Sequence, residues 1–383
     1  MVKSLTGLWL KNIRRMGEAQ QAQGRKLLIS LIPKPARSTP VRRAKVVGAA
    51  RLKVAAPRQK PVAVPVRPVS ALPGVLQKSY FPVPAAGQLA PARRMLYWLY
   101  LPSSAASKPC PLVVMLHGCQ QTAPDFAQST RMNQLAERKG FAVLYPQQSA
   151  AGDRHRCWHW YKRATQHGGG DVALIAQMIA KVQAMHRLDA SRTYVAGLSA
   201  GAGLATILAL RYPALIAAVG VHSAPVFGTS DSPMSAFRAM QHGSGRVHRE
   251  TATAFAQAQP QFPGMPVILI HGARDPVVRH INAAQLAEQF VIINGPAITR
   301  TEPVSRSYAA RTGGRSPRHA YQTETYYAGR TPQLLRCEIN ALGHAWSGGD
   351  GSLAFTTPEG PDATRMMWTF FARHRRTPTS RNP

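Results

Sequence analysis

The chain has 383 residues, 45% hydrophobic and 17% charged, with 48 Lys and Arg against 16 Asp and Glu for a formal net charge of +32. That apolar fraction excludes a wholly disordered chain and supplies core material for one large domain or two ordinary ones. No run approaches the roughly 18 consecutive apolar residues of a membrane helix, so no transmembrane segment is expected. The four cysteines lack C-x-x-C pairs, which excludes a zinc ribbon and a small disulfide scaffold.

The charge is concentrated at the start. Residues 1–70 hold 16 Lys and Arg and a single acid, Glu18, among prolines at 33, 35, 40, 57, 61, 65 and 68. Such a stretch buries too little apolar surface to offset its ordering entropy. The expectation is a basic, Pro-rich, largely disordered arm over 1–73, extended from 34 onward, and a catalytic domain over 74–383. Within the arm, Leu5, Leu8, Trp9, Ile13 and Met16 recur at helical spacing. They predict either an amphipathic helix, through which residues 1–33 would contact a polymer granule or an anionic surface, or a solvated arm. Leu27–Ile32 is too short for a secretory h-region and no A-x-A site follows, so the segment reads as a poor signal peptide.

From Leu72 onward, apolar runs of strand length alternate with helical stretches. Strands are predicted at Met95–Leu101, Leu112–Leu116 and Phe141–Tyr145, with a helix over Asp125–Lys139 between the last two. Val172–Met185 reads as a helix with Asp171 as its N-cap. Strands follow at Arg192–Ala196, Ile216–His222 and Val267–Ile270, with a helix at Gly201–Arg211. The polar stretch 226–262 reads as an inserted lid. Asn282–Gln289 reads as a helix and 302–320 as a basic loop. Gln322–Tyr327 and Leu334–Ile339 close the strands, and Ala363–His374 is a final helix. This alternation predicts an α/β fold with a mostly parallel, doubly wound sheet and helices on both faces.

Gly197-Leu198-Ser199-Ala200-Gly201 is a G-x-S-x-G turn between an apolar strand and a small-residue helix, the context in which it presents a nucleophilic serine. A serine hydroxyl needs a base, and the base an orienting acid, in the chain order Ser, Asp, His. Asp275 follows the strand at Val267–Ile270, and His344 follows the strand at Leu334–Ile339. All three would meet at the carboxyl edge of a parallel sheet. The N–H of Ala200 is the first expected oxyanion donor. The turn His117-Gly118-Cys119 after an early strand offers the Cys119 N–H as the second, with His117 bracing the loop. Trp158, Trp160 and Tyr161 read either as cleft lining or as core, with partial cleft lining favoured.

Four motifs stand in order: His117-Gly118-Cys119-Gln120-Gln121, Cys157-Trp158-His159-Trp160-Tyr161, Gly197-Leu198-Ser199-Ala200-Gly201 and Gly343-His344-Ala345-Trp346-Ser347-Gly348-Gly349. Together they resemble the catalytic domain of the poly(3-hydroxybutyrate) depolymerase family of esterases over about residues 90–373. The second and fourth motifs are the distinctive ones. The resemblance implies the α/β-hydrolase fold, with Ser199 as nucleophile, Asp275 as orienting acid and His344 as general base. It implies hydrolysis of a hydroxyalkanoate ester through an acyl-enzyme, with no metal and no cofactor. His117 and Trp346 complete the expected substrate cleft. The resemblance also implies a Cys119–Cys157 disulfide in an oxidising compartment and two thiols in a reducing one. By resemblance the protein is extracellular, the alternative being a cytoplasmic or granule-associated one. Secreted polymer-degrading members carry a polymer-binding domain after the catalytic one; this sequence ends soon after its final predicted helix, and the expectation is a chain without that module.

The same machinery would serve a carbohydrate esterase that removes acetyl or feruloyl groups from polysaccharide. Specific nucleic-acid binding is not expected, because a net positive charge binds phosphate backbones without sequence preference and the chain lacks a recognition motif.

Overall fold

The computed structural model describes residues 72–83, 93–300, 302–314 and 316–376. Apart from Leu72 and Pro73, the arm expected over 1–73 and the surface contact expected of residues 1–33 lie outside the described residues.

Among the described residues, ten strands form one sheet. In chain order they are β1 (Val75–Val83), β2 (Arg93–Leu101), β3 (Cys110–Leu116), β4 (Ala142–Gln147), β5 (Leu188–Leu198), β6 (Ala218–His222), β7 (Val267–Gly272), β8 (Val304–Tyr308), β9 (Tyr321–Ala328) and β10 (Thr331–Ile339). Their spatial order is β1-β2-β4-β3-β5-β6-β7-β10-β9-β8. The strands from β4 to β10 pair in parallel, and the outer strands add antiparallel hairpins at both ends. The parallel strands are buried on both sides, which is why they read as unbroken apolar runs rather than alternating ones.

The helices are α1 (Ala123–Thr130), α2 (Met132–Lys139), α3 (Arg163–Gln166), α4 (Gly170–Met185), α5 (Ala200–Arg211), α6 (Pro233–His242), α7 (Val247–Ala258), α8 (Ile281–Ile293) and α9 (Ala363–Phe371). Alternate strand residues separate two faces. Val113, Met115, Val143, Tyr145, Tyr194, Ala196, Ile268 and Ile270 share a core with Phe126 of α1, Leu135 of α2 and Met367 and Phe371 of α9. The intervening residues Val114, Leu116 and Val195 are equally buried on the opposite side. Helix α5 packs against β5 and β6, and is buried on every side from Ala200 to Leu210, as its small and apolar sequence requires.

Three expectations need correction. The helix predicted over Asp125–Lys139 is two, because Arg131 adopts a left-handed conformation (φ 54°) between α1 and α2. The basic loop predicted over 302–320 contains β8, an edge strand whose register comes from β9, with Tyr308 stacked on Tyr321 at 4.4 Å. Gly169, not Asp171, is the N-cap of α4; the Asp171 carboxylate is turned toward His159 instead.

Candidate active site

Ser199 stands between β5 and α5 with φ 57° and ψ −122°, a conformation that L-residues rarely adopt. The surrounding contacts hold it there. Its N–H donates to His222 O at the end of β6 (2.9 Å), and its carbonyl accepts the N–H of Gly203 one turn into α5 (3.0 Å). The flanking glycine is a packing requirement, since a Cβ on Gly201 would lie 2.1 Å from Leu116 O and 2.5 Å from His117 O. Only without that side chain can the start of α5 press against the end of β3. Its first N–H groups then face the same space as the serine.

Asp275 and His344 come from the loops that leave β7 and β10, and the two side chains meet. The His344 ring donates from Nδ1 to Asp275 Oδ2 at 2.7 Å. The other carboxylate oxygen accepts the N–H groups of Val277 and Val278, both at 2.9 Å. Asp275 is 2% exposed. Burial alone pushes its carboxyl pKa up, but the His344 charge and hydrogen bond, then His271 and the Val278 N–H, bring it below the usual value. The carboxylate is therefore ionised and holds the Nδ1 proton, which leaves His344 Nε2 free as a proton acceptor. The two loops press together closely: a Cβ on Gly272 would lie 2.2 Å from Leu342 O.

Ser199, Asp275 and His344 thus share the carboxyl edge of the sheet, following β5, β7 and β10 with β6 between the first two. Two histidines that the sequence did not mark share this space. His271 is buried, donates from Nε2 to Val278 O at 2.7 Å and lies 3.6 Å from Asp275 Oδ2. His222, at the end of β6, stacks on Trp346 at 5.2 Å and has its pKa pushed down to about 3 by burial and then by the charges of His271 and His344.

The opposite wall is the turn after β3. Gly118 donates its N–H to Gln121 Oε1 (2.8 Å) and Gln120 to His155 O (2.7 Å), bonds that do not use the intervening Cys119 N–H. A Cβ on Gly118 would lie 3.6 Å from the Ser199 Cβ, so this turn borders the serine directly. Ala200, the first residue of α5, has no partner one turn back within its helix. Cys119 is joined to Cys157 by a disulfide, whereas Cys110 and Cys337 are free and buried.

The expected cleft residues are mostly elsewhere. His117 is fully buried; its Nε2 accepts the Gln148 N–H (3.1 Å), so Nδ1 carries the proton donated to Gly118 O (2.8 Å). Burial, reinforced by the charge of Arg156, pushes its pKa down to about 4, and it braces the turn as a neutral ring. Trp158 has no exposed surface and donates from Nε1 to His117 O at 3.0 Å. Trp346 is likewise buried, against His222 and Phe126, and donates to Thr364 Oγ1 at 3.1 Å. Trp160 packs over Gly203 of α5. These tryptophans and His117 are core, not cleft lining; Tyr161 is half-buried.

A family model described as Esterase PHB depolymerase matches residues 95–311. The chain belongs to this family. Its similarity to poly(3-hydroxyalkanoate) depolymerase C of Paucimonas lemoignei is 33% identity over 240 residues, 61% of this chain and 54% of that protein. A probable acetylxylan esterase A of Neosartorya fischeri is 29% identical over 234 residues, 57% of this chain and 62% of that protein. The chain therefore spans between half and two thirds of the length of these curated relatives. Among solved structures, an acetyl xylan esterase from Aspergillus awamori superposes with a TM-score of 0.56 at 23% identity, covering 78% of this chain and all of that one. The chain has the α/β-hydrolase fold. No helix among its described residues is long and apolar enough to cross a membrane.

Proposed function

We propose that the protein is a serine esterase that hydrolyses ester bonds of poly- or oligo(3-hydroxyalkanoate) through an acyl-enzyme. The observation that carries this reading is the 2.7 Å bond from His344 Nδ1 to buried Asp275, on the sheet edge where Ser199 is held at positive φ. Ser199 Oγ attacks the ester carbonyl while His344 Nε2 takes its proton. The carbonyl oxygen gains negative charge, which the N–H groups of Ala200 and Cys119 stabilise. As the tetrahedral intermediate collapses, the alcohol half of the substrate leaves with the proton from His344. Water then attacks the acyl group, again losing a proton to His344, and the released acid restores Ser199.

The similarity to acetylxylan esterases favours a second substrate class for the same machinery, acylated polysaccharide. The catalytic unit is residues 74–383, with residues 1–33 contacting a granule or an anionic surface. The disulfide supports an oxidising, extracellular setting.

The test is a panel of soluble hydroxybutyrate oligomers, acetyl-sugar and feruloyl esters and polymer particles, run on the protein and on Ser199→Ala. The oligomers are the expected best substrates, and Ser199→Ala loses about four or more orders of magnitude in kcat/KM. Higher kcat/KM on acetyl sugars selects the second reading. Undiminished activity in Ser199→Ala ends both.

A further inference from the structure

The segment 153–161, between β4 and α3, carries Cys157 and approaches the oxyanion turn, yet it contains no strand and only its contacts fix it. Asp153 Oδ1 accepts the N–H groups of His155 (2.8 Å) and Cys157 (3.0 Å). Asp171, in the first turn of α4, accepts from its Oδ2 the N–H of His159 (3.2 Å) and the Gln148 side-chain amide (3.2 Å). The His159 ring lies between the two carboxylates, with Nε2 3.4 Å from Asp153 Oδ2 and Nδ1 3.5 Å from Asp171 Oδ2. A neutral imidazole has one N–H and one lone pair, so it would turn a lone pair on one of these carboxylates. The imidazolium presents a proton to each.

Lys162 and Tyr161 also face the His159 ring. Lys162 opposes its charge, and Tyr161 meets it edge-on at 6.4 Å. The hydrogen bonds to Asp153 and then Asp171 outweigh burial and raise the His159 pKa to about 9. Three links run from this segment to the turn: the Cys119–Cys157 disulfide, Gln120 N–H to His155 O (2.7 Å), and Trp158 Nε1–H to His117 O (3.0 Å).

We propose that His159 is a positioning residue for the oxyanion site: as an imidazolium between Asp153 and Asp171 it fastens segment 153–160 to the start of α4, and the three links to the turn then set the direction of the Cys119 N–H. This inference rests on the esterase reading. An oxyanion donor acts in the transition state, so a misdirected one lowers kcat and leaves KM in place.

The experiment is pH-stat hydrolysis of a soluble hydroxybutyrate oligomer by the full chain, His159→Gln, His159→Arg and Ser199→Ala. His159→Gln is expected to lose about 10- to 100-fold in kcat with KM unchanged. The unsubstituted protein is expected to lose kcat as pH rises through about 9, where the imidazolium is neutralised. His159→Arg keeps a cation between the carboxylates, recovers most of the activity and shifts that alkaline limb upward. Wild-type kcat in a folded His159→Gln, or alkaline limbs that coincide in the protein and His159→Arg, would overturn the proposal. The second comparison decides alone if His159→Gln does not fold. An active Ser199→Ala would instead overturn the esterase reading, so the two failures are distinct.

Discussion

The two halves of the proposed site are held by different means. The acid–base half is compact: Asp275 is satisfied by Val277, Val278 and His344, all in loops that leave adjacent strands. The Cys119 side of the oxyanion half is assembled from four separate stretches. His117 and Cys119 follow β3, Gln147 ends β4 and Gln148 follows it, the disulfide partner Cys157 lies in segment 153–161, and Asp171 opens α4. The first half depends on which atom bears a proton. The second depends on where a loop rests. Single-atom changes should therefore cost rate in the first half with little loss of stability, and changes in the second should cost both.

The largest effect belongs to Asp275→Asn. The new amide oxygen still accepts the N–H groups of Val277 and Val278, but its NH2 faces His344 Nδ1. The imidazole then accepts at Nδ1 and carries its proton on Nε2, so it cannot take one from Ser199. We expect kcat to fall by about four orders of magnitude, with KM and the thermal midpoint nearly unchanged by kinetics and circular dichroism. A drop in rate that tracks a drop in melting temperature would erase the distinction between the two halves.

The same distinction decides what was legible in the sequence. The central strands were, because burial on both faces writes them as unbroken apolar runs. The placement of Ser199, Asp275 and His344 at strand ends was, because each sits in a glycine-marked loop just past such a strand. The Arg131 break between α1 and α2 was not, since neither Gly nor Pro marks it. Strand β8 was not, because an edge strand of exposed polar residues takes its register from β9 alone. The buried orientation of the tryptophans was not, because composition does not say which way a ring faces. His222, His271, Gln148, Asp153 and Asp171 were invisible as site residues because their partners lie far along the chain and no short motif joins them.

In the oxyanion half, Cys119→Ser with Cys157→Ser opens a loop whose ends are 38 residues apart. Chain entropy assigns such a link roughly 4 kcal/mol of stability. The double variant should unfold at correspondingly lower urea and also lose kcat, because Cys119 N–H is freed together with the sulfur link. Full stability with reduced kcat would mean that the disulfide only aims the turn, and the contrast between the halves would narrow to geometry.

The smallest effect separates the halves by acid. His117 stays neutral in the folded protein down to about pH 4, where an unfolded imidazole takes up a proton below about 6.5. Between these values the unfolded state binds the extra proton, so this residue's contribution is intact above about pH 6.5 and is lost progressively as pH falls toward 4. The slope is about 1.4 kcal/mol per pH unit for one such histidine. His117→Gln retains an acceptor for the Gln148 N–H and removes that titration. Urea unfolding at pH 7, 6 and 5 should therefore show a shallower acid loss for the variant, by about that slope, while both proteins keep whatever acid sensitivity His222 confers on the other half. Equal slopes would mean that the His117 ring gains its proton without leaving the turn, and the oxyanion half would then tolerate acid through a charged brace instead of a neutral one.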